Sequence, residues 1–521
     1  MQNESTADIK RATRNTLSDA LQRSVRKLPA KVALIFGERR WTFQELAQAA
    51  NRVANGLLAQ GLKRGDRVAA YGKNSDAYVL LWLACNRAGF IHVPINYALT
   101  EGELKYIVDD SGARALFYDL SIAAHVEHIR PQLHCELYGT MYAGDVLDVL
   151  AIAQGNGPDG EPQVDIDETD VAQILYTSGT TANPKGAMMT HRALLAEYGS
   201  TIVAVEISTT DRSLASLPLY HSAQMHVFLM PQLLMGATTL IIAAPLPDIC
   251  FDIIEREGIT SFFAPPTVWI SLLRHPGFDT HNLSSLCKGY YGASIMPVPV
   301  LEELRRRLPA VRLFNCYGQS EIAPLATVLS PEDHAISPAS AGRPILNVET
   351  RVVNEQLVDM PQGEMGEIVH RSPQAMIGYW NKPEQTAEAF QGGWFHSGDV
   401  GYFDEHGFLY VVDRIKDIIN TGGVVVSSRE VEECLYKHAA VAEVAVIALP
   451  DEKWIEAVTA VVTLKAGQTV SAAELIAFAK ERIAPFKVPK EVFIVQELPR
   501  NTAGKLLKRE LRQQYSASKN S

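Results

Sequence analysis

The chain has 521 residues, too many for one compact core, so two or more domains are expected. Its 47% hydrophobic and 21% charged residues are the proportions of an ordinary globular protein with a large core. A net charge of −11 without an extended basic stripe argues against nucleic acid and anionic membrane as direct partners.

The six cysteines are scattered with no Cys-x-x-Cys pair, and read as reduced thiols, not a disulfide framework or metal site. The first residues lack a charged-then-apolar signal, no apolar run reaches the about 18 residues of a membrane span, and the last residues are not a peroxisomal address. A cytoplasmic protein with no transmembrane segment is expected, with its oligomeric state left open.

Leu17, Leu21 and Val25 recur at helical spacing, 32–36 and 40–43 flank a hairpin-like turn, and Thr42-Phe-Gln-Glu opens a capped helix carrying Leu46, Ala49, Val53 and Leu57 on one face. From 64 to 150 strand-like and helix-like stretches alternate, which predicts a largely parallel sheet covered on both faces. Ligands of such sheets sit at the carboxyl ends of strands. A connector rich in Gly, Pro and acids at 154–168 leads into a strand over 171–176.

That strand runs into Thr177, Ser178, Gly179, Thr180 and Thr181, with Lys185 shortly after. Small residues let backbone N–H groups approach an anion, hydroxyls add donors and the lysine adds charge, so this stretch is a candidate polyphosphate loop. It is not a Walker loop, because Lys185 lies between Pro184 and Gly186, a pair that favours a turn over a helix start.

Further on, Leu217-Pro-Leu-Tyr-His precedes a very apolar stretch expected to be helical, with Val227 to Leu234 at its centre. His221 and His226 there lack a third ligand at metal-site spacing. Alternation resumes over 236–330, where two strand ends carry chemistry. Gly292-Ala293-Ser294 is a close-approach turn, and Tyr317-Gly318-Gln319-Ser320-Glu321 joins an aromatic face, a hydroxyl and a carboxylate, which suit a purine and a magnesium polyphosphate. The region 341–413 reads as strand-rich, and Asp399 on the glycine-marked turn Ser397-Gly398-Asp399 could accept both hydroxyls of a ribose. Four charges then crowd 413–417, and short strands and helices follow to a final Pro499-Arg-Asn-Thr-Ala-Gly-Lys505.

The order Tyr-Thr-Ser-Gly-Thr-Thr-x-x-Pro-Lys-Gly, with Tyr-Gly-x-Ser-Glu, Ser-Gly-Asp and Pro-Arg-x-Thr-x-Gly-Lys behind it, resembles the AMP-forming adenylating enzymes, and acyl-CoA synthetases in particular. The likeness runs from about residue 15 to 513, with Ala182 where a glycine is common and Ser397 where a threonine is usual. It implies an α/β fold: an N-terminal domain over 1–415, with helix-covered parallel-rich sheets and a β-rich subdomain, and a small mobile α+β lid over 416–521. The implied activity is ATP-dependent ligation of a carboxylic acid to coenzyme A through an acyl adenylate.

The resemblance also implies roles. Thr177 and Glu321 would hold Mg2+, the 177–185 loop would follow pyrophosphate, and Ser320 would contact phosphate. Tyr317 would pack on adenine, with Gly292-Ala293 on the other face and Asn315 near the exocyclic amine. Asp399 would hold the ribose with help from Arg414. Lys505 would bridge the acyl carboxylate and α-phosphate, Tyr220-His221 would stand near that carboxylate, and Gln224 to Met230 would line the acyl tail. Lys416 would be the pivot that brings Gly422-Gly423 to a pantetheine channel. No arginine falls in 221–235 or 262–273, so a hydrophobic monocarboxylic acid is expected, a fatty acid ahead of a cinnamate or benzoate type. A non-catalytic nucleotide sensor would be expected to have lost Lys505 or Glu321, and both are present.

Overall fold

A computed structural model describes residues 9, 12–144, 147–177, 183–294, 296–421, 424–451, 454–501 and 506–519. Among them the strands form four sheets. One has six strands, in the spatial order Leu137–Thr140, Ala115–Tyr118, Arg67–Tyr71, Ile91–Ile95, Val171–Thr177 and Lys185–Thr190, all parallel to their neighbours except the last. A second has nine strands, its centre parallel and its two edges antiparallel. The expected parallel-rich architecture is borne out.

The helix Asp76–Ala88 explains how the sheets are held together. Every one of its residues is buried, so it presents no solvent face, as a helix enclosed by other elements must. Ser75 caps it by accepting from the Tyr78 N–H, and Gly89, at φ 67, ends it in the left-handed conformation that glycine adopts without strain. Phe43–Ala59 packs on it with Leu46, Ala49, Val53 and Leu57 buried, as the sequence spacing predicts, behind a capping box of Thr42 and Glu45.

A four-stranded antiparallel sheet, Glu349–Val353, Gly366–Arg371, Phe395–Phe403 and Leu409–Arg414, forms the β-rich part. The C-terminal sheet pairs Ile455–Leu464 with Val441–Asp451 and Glu491–Val495, and helices Ser428–Tyr436 and Ala472–Lys480 pack into its core.

Two local readings are corrected. Lys185 opens the strand Lys185–Thr190, paired directly with Thr177, so it belongs to a hairpin arm and not to a flexible turn. The apolar stretch expected to be an ordinary helix begins as a π-helix, Ala223–Leu229, before Met230–Met235 continues as α-helix.

Asp76 is fully buried and accepts from Arg39 Nε at 2.6 Å and Nη2 at 2.8 Å, and from Trp41 Nε1 at 2.9 Å, which fastens the N-terminal hairpin to the central helix. Asp76→Ala leaves these donors without their acceptor and should lower unfolding free energy by about 2–3 kcal/mol, discounted because Arg39 is partly exposed. Urea denaturation measures this, and a loss under about 0.5 kcal/mol, the level of an ordinary surface change, would contradict the role.

Candidate active site

Two other chain segments meet Glu321. Its Oε1 accepts from the Thr177 hydroxyl at 3.0 Å and from the Tyr379 hydroxyl at 3.1 Å, while its carbonyl accepts from the Met376 N–H at 2.8 Å. Thr177 is the last residue of a parallel strand, so the strand hands the chain to the candidate phosphate loop beside this carboxylate. Lys185, on the opposite hairpin arm, places its ammonium 5.1 Å from the centre of the Tyr379 ring. Burial, reinforced by Glu321, pushes the Tyr379 hydroxyl well above its ordinary range, so it stays a neutral donor.

A second carboxylate lies on the β-rich sheet. Asp399 is almost fully buried, its Oδ1 paired with Arg414 Nε at 2.6 Å in direct cross-strand register. Its Oδ2 accepts from the Tyr317 hydroxyl at 2.7 Å and from Gln319 Nε2 at 2.5 Å. The expected turn at Ser397-Gly398-Asp399 is corrected: the three lie inside the strand Phe395–Phe403, where its register against Gly366–Arg371 shifts, with Gly398 at φ 67 and the Ser397 hydroxyl accepting from the Asp399 N–H at 3.0 Å. A carboxylate offers about four acceptor positions, so these three donors leave room for one more. Burial, followed by the charge of Asp399, holds the Tyr317 hydroxyl neutral.

Tyr317 is the last but one residue of the strand Arg312–Gly318, whose parallel neighbour Lys288–Gly292 leads into Ala293 and Ser294, both exposed at the same end of the sheet. Ala293 has φ 61, a backbone state that L side chains rarely adopt. A side chain on Gly292 would collide with the Cys316 carbonyl, and one on Gly318 with the Pro324 carbonyl. Asn315, on the same strand, donates to the Ser340 carbonyl at 2.8 Å.

The π-helix meets this edge through Ser222, whose hydroxyl lies 3.0 Å from that of Ser320. His221 precedes it, its Nδ1 facing the Ala223 N–H at 3.4 Å, and Tyr220 sets its ring edge-on to Tyr97 at 5.7 Å. His226 is buried with both ring nitrogens in use, Nδ1 with the Tyr198 hydroxyl at 2.7 Å and Nε2 with Gln173 Oε1 at 2.9 Å. Burial pulls its pKa down to about 3, so it is neutral. Within Gln224 to Met230, Met225, Leu229 and Met230 pack into one core and Val227 and Phe228 into another.

The structure thus groups Thr177, Lys185 and Glu321; groups Tyr317, Asp399 and Arg414; and sets Ser320 at the π-helix near His221 in sequence. Gly292, Ala293, Ser294, Asn315 and Gly318 occupy the adjoining strand ends. Ser178, Gly179, Thr180, Thr181, Gly422, Gly423 and Lys505 lie outside the described residues.

Sequence reasoning missed Tyr379, Gln319 and Ser222. Tyr379 is carried by 376–380, which runs along the loop hairpin, with Met188 N–H donating to the Gly378 carbonyl at 3.0 Å and Trp380 N–H to that of Gly186 at 2.7 Å. An aromatic pair directly after a glycine, Gly378-Tyr379-Trp380, was its one available signal.

A small-residue loop after a parallel strand, an acid anchored beside it and an aromatic at a neighbouring strand end define an adenylate-forming architecture. The chain belongs to the AMP-binding enzyme family: residues 21–380 match it, and 430–505 match the AMP-binding enzyme C-terminal domain. It is similar to a feruloyl-CoA synthase of Amycolatopsis, 36% identical over 95% of this chain and 98% of the relative. A long-chain-fatty-acid–CoA ligase of Mycobacterium tuberculosis is 33% identical over 92% of this chain and 94% of its own. The crystal structure of an anthranilate CoA ligase in complex with anthranoyl-AMP superimposes with a TM-score of 0.92, at 27% identity and 98% coverage of both chains. The expected kinship with AMP-forming acyl-CoA synthetases is borne out.

Gly318→Ala forces a Cβ onto the Pro324 carbonyl and should cost about 2–3 kcal/mol by overpacking. Chemical denaturation of the variant checks it, and stability within about 0.5 kcal/mol of wild type would show that the turn before Glu321 tolerates a side chain.

Proposed function

We propose that the protein joins a hydrophobic monocarboxylic acid to ATP, releasing pyrophosphate, and then passes the acyl group to coenzyme A. The observation that carries this reading is the Glu321 carboxylate, held by Thr177 and Tyr379 at the entrance to the candidate phosphate loop. In the first step a carboxylate oxygen of the acid bonds to the α-phosphorus of ATP and the bond to pyrophosphate breaks. In the second, the coenzyme A sulfur bonds to the acyl carbon, its proton is lost and AMP leaves. A bare carboxylate has no good leaving group, and AMP supplies one.

Positioning and charge stabilisation suffice, with no protein nucleophile. Glu321 and the Thr177 hydroxyl are hard oxygen donors of the kind magnesium takes, and the ion would neutralise phosphate charge there. Ser178, Gly179, Thr180, Thr181 and Lys185 would follow the pyrophosphate, with Ser320 on phosphate. Tyr317 would face the adenine opposite Gly292-Ala293, and Asp399, fixed by Arg414, has an acceptor position for a ribose hydroxyl. His221 would stand by the acyl carboxylate, and Lys505 would bridge it to the α-phosphate.

We assign 1–415 to the adenylating domain and 416–521 to a lid turning at Lys416. Supporting this, Asp413 accepts from the Ser428 N–H at 2.9 Å and its hydroxyl at 2.7 Å, and Asp417 pairs with Arg512, so the residues flanking Lys416 are tied to the C-terminal part. Rotation would withdraw Lys505 and bring Gly422-Gly423 to the pantetheine arm.

Arg274 pairs with Glu303 at 2.8 Å, which supports an acid with a single carboxylate. Fatty and aryl acids both fit, since relatives are named for each.

Pyrophosphate release should appear with ATP, magnesium and one group of acids from a panel of acetate to oleate plus cinnamate and benzoate, and acyl-CoA should form only when coenzyme A is added. Release without any thioester in its presence would remove the second step from the account. Lys505→Ala should slow adenylation about 10²–10³-fold, as loss of a donor to a developing charge does. Lys416→Pro should slow thioester formation roughly tenfold more than adenylation, the signature of a blocked lid; equal losses would sink the hinge assignment.

A further inference from the structure

Asp399 has less room for a ligand than a free carboxylate. A ribose presents two neighbouring hydroxyls, and a carboxylate with all of its about four acceptor positions open takes both. Here Oδ2 already accepts from the Tyr317 hydroxyl at 2.7 Å and from Gln319 Nε2 at 2.5 Å, which fills its two positions. Oδ1 lies 2.6 Å from Arg414 Nε, which takes one of its positions and leaves the other open.

Gln319 is not easily displaced. Its main chain is fixed at both ends, the N–H donating to the Pro324 carbonyl at 2.9 Å and the carbonyl accepting from the Ile322 N–H at 2.9 Å. The residue is buried, and both hydrogens of its amide have partners in the same cluster, Asp399 Oδ2 at 2.5 Å and the Tyr317 hydroxyl oxygen at 3.4 Å. Moving the amide aside would leave these buried donors unpaired, a loss comparable to the hydrogen bond that a ribose hydroxyl would gain. The Asp399 carboxylate meets no further donor among the described residues, so the open position on Oδ1 is the one a ligand can take.

We propose that Gln319 is a specificity-determining residue for the sugar of the nucleotide: by filling the last position on Asp399 Oδ2, it limits the site to one ribose hydroxyl, taken at Oδ1 beside Arg414. The site then accepts a purine nucleoside triphosphate that lacks the other hydroxyl. The assignment rests on the adenylation reading and sets which sugars that reading allows. An apolar side chain of similar length at 319 empties the position on Oδ2 and lets both hydroxyls bind, so the variant becomes the stricter reader of ribose. A site with a buried acceptor rejects the analogue that cannot pair with it, because the protein group is left unsatisfied.

Calorimetric titration of the full chain with ATP, 2′-deoxy-ATP and 3′-deoxy-ATP, in magnesium and without any acid, reads the dissociation constants. One deoxy nucleotide should bind the wild-type protein within about threefold of ATP and the other roughly tenfold or more weaker, the effect of one hydrogen bond to a charged group. In Gln319→Met both deoxy nucleotides should fall roughly tenfold or more below ATP. A merely structural role would weaken all three nucleotides alike and leave their ratios unchanged. A wild-type protein that loses affinity for both analogues equally, or for neither, overturns the assignment, as does a folded Gln319→Met with wild-type ratios. Should Gln319→Met fail to fold, the wild-type ratios decide alone. ATP binding with the wrong ratios overturns the Gln319 assignment only; no binding of ATP at all overturns the adenylation reading, and this assignment with it.

Discussion

The arrangement depends on how a carboxylate is held in place beside the end of a parallel strand. Glu321 is partly buried, and a carboxylate there is tolerated only if hydrogen bonds replace the lost water. Thr177 and Tyr379 supply those bonds from two other segments, and the Met376 N–H fixes the main chain behind it. One acid thereby joins the hairpin of the candidate phosphate loop, the strand end at Tyr317 and the aromatic segment 376–380. Asp399 repeats the solution on the β-rich sheet, with Arg414, Tyr317 and Gln319 as donors. Because Tyr317 and Glu321 are four residues apart, these anchors fix both ends of one short segment.

Behind this edge runs a second, fully buried polar chain. The Tyr198 hydroxyl meets His226, His226 meets Gln173, and the Gln173 amide meets His92 Nδ1 at 3.2 Å. Gln173 lies on the strand that ends at Thr177, and His226 on the π-helix. The strand Val171–Thr177 and the π-helix are thus held in register by directional bonds and not by apolar packing alone, and such buried networks favour one arrangement over many.

Most of the fold was legible in the sequence because alternating strand and helix patterns and capping residues are local signals. Thr42 with Glu45, and the stripe from Leu46 to Leu57, could be read directly. The grouping of Thr177 with Glu321 was legible only through the family resemblance, since 144 residues separate them and no local rule links the two. Tyr379 and Gln319 escaped because their role comes from tertiary contact: an aromatic beside Met376, Ile377 and Trp380 reads as packing until its hydroxyl is seen on Glu321. Lys185 was misread for a related reason. Its proline and glycine neighbours signal a turn, but pairing with Thr177 across the hairpin outweighs that preference. The π-helix has no sequence signature distinct from an apolar α-helix, so only the backbone revealed it.

The central claim is that the acid is activated as an adenylate at the site organised by Glu321 and Asp399. The most direct measurement follows oxygen. With an accepted acid labelled in both carboxylate oxygens with oxygen-18, ATP, magnesium and coenzyme A, the account predicts that each AMP released carries one labelled oxygen, transferred when the adenylate bond formed and retained when coenzyme A displaced it. Unlabelled AMP, or label appearing in inorganic phosphate alongside ADP, would contradict it, because the acid would then have been activated by another route.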